Sequence, residues 1–186
     1  MMNKTLIQDI KNMNYSQLES LATNIRQQII EAVSKNGGHL SSNLGIVELT
    51  IALHYVFESP EDLLIFDVSH QTYAHKIITG RSLDTLRKLN GISGFARLEE
   101  SEHDVFEAGH SSTSISALAG FLEAKKNNEN IKNVVSVIGD SSITNGLSFE
   151  ALNYLGALKN QKAIIILNDN QMSISKSVGS LAMSFN

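Results

Sequence analysis

The stretch Val134-Val135-Ser136-Val137-Ile138-Gly139-Asp140-Ser141-Ser142 decides the fold, because an apolar, largely β-branched run ends abruptly in small and polar residues. A second run of the same kind, Ala163-Ile164-Ile165-Ile166-Leu167-Asn168-Asp169-Asn170, follows after one helix-length segment. Such runs are typical of fully buried parallel strands. Parallel strands joined by a crossover helix end at the same edge of a sheet, so both polar runs should face one crevice. There, oxygen atoms of Asp140 and Asn170 could hold a hard cation that also binds a diphosphate.

The sequence before these strands indicates helices. Ser16 and Glu19 have the spacing of a capping box, and they predict a helix over about residues 17–35 that Gly37-Gly38 ends. A densely apolar segment around residues 47–56, closed by Pro60, predicts a second helix.

The following segment alternates between strand and helix patterns. Leu63–Val68 reads as a strand that delivers His70 to the same edge as Asp140. Further helices are predicted over about residues 71–79, 82–89 and 111–119. Periodicity is lost from Asn90 to Gly109, which is consistent with an excursion that borders a site or with a plain surface loop. The alternation favours an α/β fold with a doubly wound, mostly parallel sheet flanked by helices.

Composition narrows the class of protein. With 186 residues, of which 42% are hydrophobic, the chain fits one domain with a sizeable core. The net charge of −4 and the lack of a long basic cluster favour neither nucleic acid nor an anionic membrane as a partner. The absence of cysteine excludes disulfides and thiolate metal sites and suits a reducing compartment. No apolar segment resembles a secretory signal or is long enough to cross a bilayer, so a cytoplasmic protein is expected.

Beyond the Gly139-Asp140 pair, six runs along the chain share the pattern of a known family. They are Gly37-Gly38-His39-Leu40-Ser41-Ser42, Asp67-Val68-Ser69-His70-Gln71-Thr72-Tyr73, His75-Lys76-Ile77-Ile78-Thr79-Gly80-Arg81, Glu100-Ser101-Glu102-His103-Asp104, Gly109-His110-Ser111-Ser112-Thr113-Ser114-Ile115-Ser116 and Asn168-Asp169-Asn170-Gln171-Met172-Ser173-Ile174-Ser175. In this order, the runs resemble the 1-deoxy-D-xylulose-5-phosphate synthase family of the thiamine diphosphate-dependent transketolase superfamily. The resemblance extends from about residue 37 to the end.

This resemblance implies a transferase that condenses pyruvate with D-glyceraldehyde 3-phosphate, with loss of carbon dioxide, for isoprenoid, thiamine and pyridoxal phosphate synthesis. Its cofactors would be thiamine diphosphate and Mg²⁺. Because family enzymes are several times longer, residues 1–186 would form one incomplete diphosphate-binding domain that lacks the pyrimidine-binding and C-terminal domains. Alone, it would bind the diphosphate weakly and not turn over; it would dimerise or pair with a separate C-terminal half. The alternatives are half of a split transketolase and a non-catalytic binding module.

The resemblance also assigns site residues. Magnesium would be held by the side chains of Asp140 and Asn170 and the backbone carbonyl of Met172, and His39 and His70 would be catalytic residues facing the reacting centre. His70, Asp140 and Asn170 would also contact the cofactor. The other cofactor contacts would be Gly109, His110, Ser111, Gly139, Ser141 and Ser142. From the residues alone, Asp140 reads equally well as a helix N-cap, and the second polar run decides for the metal. Asn168 and Asp169 are expected to hold the turn.

Two positions depart from the family pattern, which usually has glycine where this chain has Ser69 and Ser141. At position 141, the serine hydroxyl could donate to a phosphate oxygen, but its Cβ could also crowd the cofactor or oppose a positive φ. His54 and His103 are expected to be structural or surface residues, and His75 is a weaker candidate near substrate or scaffold. Packing and surface roles are expected for the other polar members of this region, Tyr73, Lys76 and Arg81.

Overall fold

A computed structural model describes residues 6–128, 130–159, 161–169 and residue 180. The chain forms two compact units. The first comprises residues up to 59 together with 70–103, and the second comprises residues 60–69 together with those from 104 onward.

The first unit is helical. Its helices are α1 (Ile7–Lys11), α2 (Tyr15–Asn36), α3 (Leu40–Leu44), α4 (Val47–Val56) and α5 (Tyr73–Ile78). Helix α2 is the one predicted over residues 17–35, but the predicted capping box was wrong. Asn14 is the N-cap, and it exchanges hydrogen bonds with Gln17, whose backbone N–H lies 3.0 Å from Asn14 Oδ1. Both ends of the helix therefore lie slightly outside the predicted bounds.

The core of the first unit is formed by apolar side chains of α1, α2, α4 and α5. Its fully buried members include Ile10, Ile25, Ile29, Tyr73 and Ile78. The predicted helix over residues 82–89 was wrong, because these residues form turns in which Arg87 has a φ of 60°. Leu83 and Leu86 nevertheless point into the core.

Two basic residues of this unit, for which packing and surface roles were expected, lie beside one carboxylate. Lys76 is fully buried and forms an ion pair with Glu100, whose other oxygen accepts a hydrogen bond from the Ser93 backbone N–H at 2.7 Å. Arg81 lies 3.5 Å from the same carboxylate. Glu100 therefore fastens the segment around Ser93 to helix α5.

The second unit contains the sheet. Its described strands are β1 (Leu63–Phe66), β2 (Val134–Gly139) and β3 (Ile164–Asn168), and its helices are α6 (Ser114–Lys125), α7 (Asp140–Ile143) and α8 (Gly146–Ala157). All neighbouring strands are parallel, in the order β1-β2-β3, and Phe66 is in register with Val137 and Gly139 with Asn168. This confirms the predicted α/β fold with a parallel sheet and flanking helices.

Helices α6 and α8 pack on one face of this sheet. Leu118 and Leu122 of α6 contact Ile65 and Val134, and Ala151 of α8 belongs to the cluster around Ile138. Side chains on both faces of β2 are fully buried, which explains why its sequence is a continuous apolar run. Across the described residues, no helix has the combination of length and apolar character that a membrane span requires.

Candidate functional site

An aspartate directly follows each described strand of the second unit. Asp67 follows β1, Asp140 follows β2 and Asp169 follows β3, so all three lie at the carboxyl edge of the parallel sheet. Their burial differs: Asp67 is only 2% exposed, Asp140 is half-buried and Asp169 is exposed. The three carboxylates therefore have different environments at one edge.

Asp67 anchors the loop that precedes α6. Its carboxylate accepts hydrogen bonds from the backbone N–H groups of Ser112 (2.9 Å) and Ser114 (3.2 Å). The N-cap residue Thr113 makes no side-chain capping bond, so this distant carboxylate caps the helix instead. This role of Asp67 was not predicted from the sequence. Its only local signal was a strand-end aspartate, which cannot by itself indicate a partner 45 positions away.

Ser148 ties this loop to the segment after β2. Its hydroxyl is fully buried and lies 3.0 Å from the carbonyl oxygen of Ser142 and 3.4 Å from that of Ser112. Together, Asp67 and Ser148 bring the Gly109–Ser112 segment and the Gly139–Ser142 segment to the same end of the sheet. These are two of the segments predicted to contact the cofactor.

The Gly139–Ser142 segment opens helix α7. Gly139 is its N-cap in extended conformation, and Asp140 is the first helical residue, so Asp140 is not the N-cap. Ser141 is exposed and helical, with no positive φ. The backbone conformation at Ser141 therefore does not require glycine.

Both glycines of these segments leave space above the sheet edge. A Cβ built on Gly109 would meet no atom within 4 Å, and one on Gly139 would approach only the Asn168 carbonyl oxygen, at 4.0 Å. His110 is exposed, and its Nδ1 donates to the Ser111 carbonyl at 2.7 Å. The ring is thereby oriented by its own loop, and its Nε2 stays available to a ligand.

The side-chain oxygen atoms at this edge of the sheet are of the type that binds a hard cation. Carboxylate and amide oxygens from Asp140 and Asn168 are of the type that Mg²⁺ prefers, and the register Gly139↔Asn168 makes their strands direct neighbours. Asn170 and Met172, the other two predicted metal ligands, lie outside the described residues. Within the described part of the chain, no group of three or more His, Cys, Asp or Glu residues is placed to hold a metal. A magnesium site at Asp140 thus depends on those two further ligands.

In the first unit, His39 and His70 lie together. Their ring centroids are 5.4 Å apart in a T-shaped arrangement. Phe95 covers the His39 ring at 5.3 Å, and the Tyr73 hydroxyl accepts a hydrogen bond from the His39 backbone N–H at 3.2 Å. Phe95 was not predicted, and it shows that the excursion after residue 90 borders the histidine pair.

The environment of His39 favours the neutral form of its imidazole. Burial is the main cause that lowers its pKa below 6.5, and the positive charge of Arg87 lowers it further. A neutral imidazole can accept a proton, which is what general-base chemistry requires near pH 7.

Three other histidines are structural. His54 is fully buried, and its Nε2 lies 2.9 Å from His75 Nδ1. Burial lowers the pKa of His54 far below its ordinary value, with a smaller contribution from His75. His103 is buried and contacts the Ser59 hydroxyl at 2.9 Å through Nδ1. The structural interpretation of His54 and His103 is therefore supported, and His75 belongs to the scaffold.

Comparison with known proteins adds an independent observation. The family profile described as 1-deoxy-D-xylulose-5-phosphate synthase matches residues 2–186. The chain belongs to the 1-deoxy-D-xylulose-5-phosphate synthase family. Proteins with this name are 55% identical in Alkaliphilus oremlandii over 95% of the chain, 54% in Caldanaerobacter subterraneus over 94%, and 52% in Syntrophomonas wolfei over 96%. The chain spans 28% of the length of each of these synthases.

The second departure from the synthase family pattern has a conformational cost. Ser69 has a φ of 67° and Val68 a φ of 58°, both in the left-handed region. The Ser69 backbone N–H donates to the Asp67 carbonyl at 2.6 Å, which makes Val68 the centre of a γ-turn. A β-branched residue with positive φ is a true outlier, so the turn that leaves β1 is strained.

Proposed function

We propose that this chain is the N-terminal part of a 1-deoxy-D-xylulose-5-phosphate synthase. The complete enzyme would condense pyruvate with D-glyceraldehyde 3-phosphate and release carbon dioxide, as part of isoprenoid precursor, thiamine and pyridoxal phosphate synthesis. The family membership of the whole chain supports this proposal.

The structural observation that supports it most is the assembly of two motif segments at one sheet edge. Asp67 and Ser148 fasten the Gly109–Ser112 loop beside the Gly139–Ser142 segment, and Asp140 begins α7 there. The open space at Gly109 and Gly139 would admit a diphosphate close to the backbone. Because Asp67 already occupies the backbone N–H groups of Ser112 and Ser114, the diphosphate would contact the part of the loop before Ser112 and not the N-terminal turn of α6.

The proposed cofactors are thiamine diphosphate and Mg²⁺. When bound, thiamine diphosphate supplies the electron sink that decarboxylation of a 2-oxo acid needs. Asp140, Asn170 and the Met172 carbonyl would hold the metal. The diphosphate and the rest of the cofactor would be contacted by Gly109, His110, Ser111, Gly139, Ser141, Ser142 and His70.

His39 and His70 would serve the reaction itself. The neutral state of His39 fits a group that accepts a proton near neutral pH. Phe95 would exclude water from one face of this ring.

We further propose that these residues form an incomplete diphosphate-binding domain, which would bind cofactor weakly and need further domains for turnover. The partner would be a second copy or a C-terminal half on another chain. A cytoplasmic location remains a prediction from composition.

Calorimetric titration of the chain with thiamine diphosphate and Mg²⁺ tests the proposal. Weak, magnesium-dependent binding is expected, and Asp140→Asn should reduce the affinity at least about tenfold, because a metal ligand is lost. Asp84→Asn removes an exposed carboxylate from a turn of the first unit and serves as the matched control. Adding a C-terminal half from a relative should give pyruvate-dependent product formation. No heat with or without that half would favour a non-catalytic binding module instead.

A further inference from the structure

We propose that Asn43 is a positioning residue that holds His39 and His70 in their mutual orientation. The relevance of this clamp to catalysis depends on the function proposed above. The geometry of the clamp does not depend on that function, because every contact concerned lies within the first unit.

The Asn43 side chain makes three hydrogen bonds to the backbone. It is fully buried, and its Nδ2 donates to the carbonyl oxygen of His39 at 2.6 Å and to that of His70 at 2.8 Å. Its Oδ1 accepts from the backbone N–H of Tyr73 at 2.8 Å. Both N–H donors of the amide are used. One side chain therefore joins a segment four positions before it, at His39, to a segment 27 to 30 positions after it, at His70 and Tyr73.

Asn43 acts where two helices begin. His39 is the N-cap of α3 and makes no capping bond with its own side chain, and Thr72, the N-cap of α5, makes none either. Asn43 therefore joins the start of α3 to the start of α5. The Tyr73 hydroxyl also links the two segments: it accepts a hydrogen bond from the His39 backbone N–H at 3.2 Å and lies 3.4 Å from His39 Nδ1.

The consequence for the imidazoles is geometric. Their T-shaped contact at 5.4 Å requires that the two backbones stay at a fixed separation. Small displacements of reacting groups are costly, and an error of 1 Å can reduce a rate by about a hundredfold. A residue that touches neither substrate nor ring can therefore control catalysis through backbone placement alone.

The test uses nuclear magnetic resonance on the isotope-labelled 186-residue chain. Asn43→Asp keeps the size and the acceptor for Tyr73 but loses both donors and places a carboxylate against two carbonyl oxygens. Asn43→Ser is the smaller alternative. The matched control is Thr50→Val, which removes another fully buried polar contact of the same unit, the hydroxyl bond to the Ile46 carbonyl at 2.9 Å.

The wild type and Thr50→Val should show a ring-to-ring nuclear Overhauser effect between His39 and His70. Both Asn43 variants should lose it while the α2 resonances stay dispersed. Retention of the effect in a folded Asn43 variant would overturn the proposal. If neither variant folds, the wild-type side-chain amide decides: slowed exchange and hydrogen-bond couplings to both carbonyls support the clamp, and a freely exchanging amide refutes it.

A second readout concerns activity with a C-terminal half supplied. Asn43→Asp should lower kcat by about 10- to 100-fold while the KM for pyruvate changes little, because the clamp orients groups without binding substrate. Thr50→Val should match the wild type. An inactive wild-type pair would count against the proposed function, and the ring contact would still decide the role of Asn43. Unchanged kcat in an Asn43 variant that has lost the ring contact would show that the clamp has no catalytic role.

Discussion

At the scale of single residues, the pKa of His39 is lowered in part by the charge of Arg87, which lies far away in the sequence. We predict that Arg87→Gln raises the pKa of His39, because the nearby cation that opposes protonation is removed. The pKa should stay below the ordinary value, since burial is the larger cause. Titration of the histidine ring protons by nuclear magnetic resonance measures this. Arg97→Gln is the control, because Arg97 is exposed and paired with Glu99. An unchanged His39 titration in Arg87→Gln would contradict the assignment.

The two serines that replace family glycines should respond in opposite ways to restoring glycine. Ser69→Gly should raise the free energy of unfolding by about 1 kcal/mol, because Ser69 has a φ of 67° that glycine adopts without strain. Ser141→Gly should lower it by about 0.5 kcal/mol, since Ser141 is helical. Urea denaturation of both variants measures the difference. Equal effects of the two substitutions would refute the conformational explanation.

The sequence alone does not decide between two residues that are equally suited to one role. Asn14 and Ser16 can both cap a helix, and only the bonds between Asn14 and Gln17 decide between them. Asp67 and Asp140 are both strand-end aspartates, and only burial shows that one anchors backbone while the other is half-exposed. Lys76 and Glu100 lie 24 positions apart, so their ion pair has no local signal in the sequence.

At the scale of elements, the loop before α6 depends on Asp67. We predict that Asp67→Asn lowers the free energy of unfolding by about 2 kcal/mol, because two backbone N–H groups lose a charged acceptor. The amides of Ser112 and Ser114 should then exchange hydrogen faster, and thiamine diphosphate binding should weaken. Hydrogen exchange with mass spectrometry and calorimetry measure both.

A matched control exists at the other end of the same strand. Asp62 is 3% exposed and accepts hydrogen bonds from the backbone and side-chain nitrogens of Asn133, at 2.9 and 2.8 Å. Asp62→Asn should cost similar stability but leave exchange at Ser112 and Ser114 unchanged. Equal effects of the two variants on those amides would argue against a specific anchoring role for Asp67.

The strands could be predicted to within about two residues because strands inside a parallel sheet have a largely apolar composition. The segment after α5 could not. Leu83 and Leu86 have helical spacing, but both are core anchors of a turn in which Arg87 and Asn90 adopt positive φ. Apolar spacing reports which side chains are buried, and two buried side chains are compatible with a turn as well as a helix.

At the scale of the whole molecule, stability should fall in mild acid. Above pH 6.5, the His54 ring is neutral in both the folded and the unfolded chain, so its contribution to stability is fully present. Below that pH the unfolded chain takes up a proton that the buried ring cannot, because the folded pKa of His54 lies well below 6.5. The loss should approach about 1.4 kcal/mol per pH unit until the folded pKa is reached.

Urea denaturation at pH 7.5, 6.5 and 5.5 measures this dependence. His54→Gln should show a shallower decline over the same range, because the titrating group is absent. The same slope in both proteins would mean that other groups cause the acid sensitivity.

The parts of the candidate site that lie at strand ends could be predicted from the sequence. The parts that depend on hydrogen bonds between distant residues could not. The positions of Asp140 and Asn168 at one edge follow from parallel pairing. The bonds of Asp67, Ser148 and Asn43 join residues up to 47 positions apart, and no local pattern in the sequence indicates them. Convergence of Asp140 with Asn170 stays a prediction.

The two units alternate along the chain, which limits how they could have arisen from separate genes or be separated by cleavage. Strand β1 belongs to the second unit, yet it is flanked on both sides by segments of the first, so the chain passes between the units after residues 59, 69 and 103. A gene fragment beginning at residue 104 would encode a sheet without β1 and would expose the hydrogen-bonding groups of β2 that pair with it. End-to-end fusion of two ancestral genes cannot produce this arrangement, and a single proteolytic nick cannot undo it cleanly.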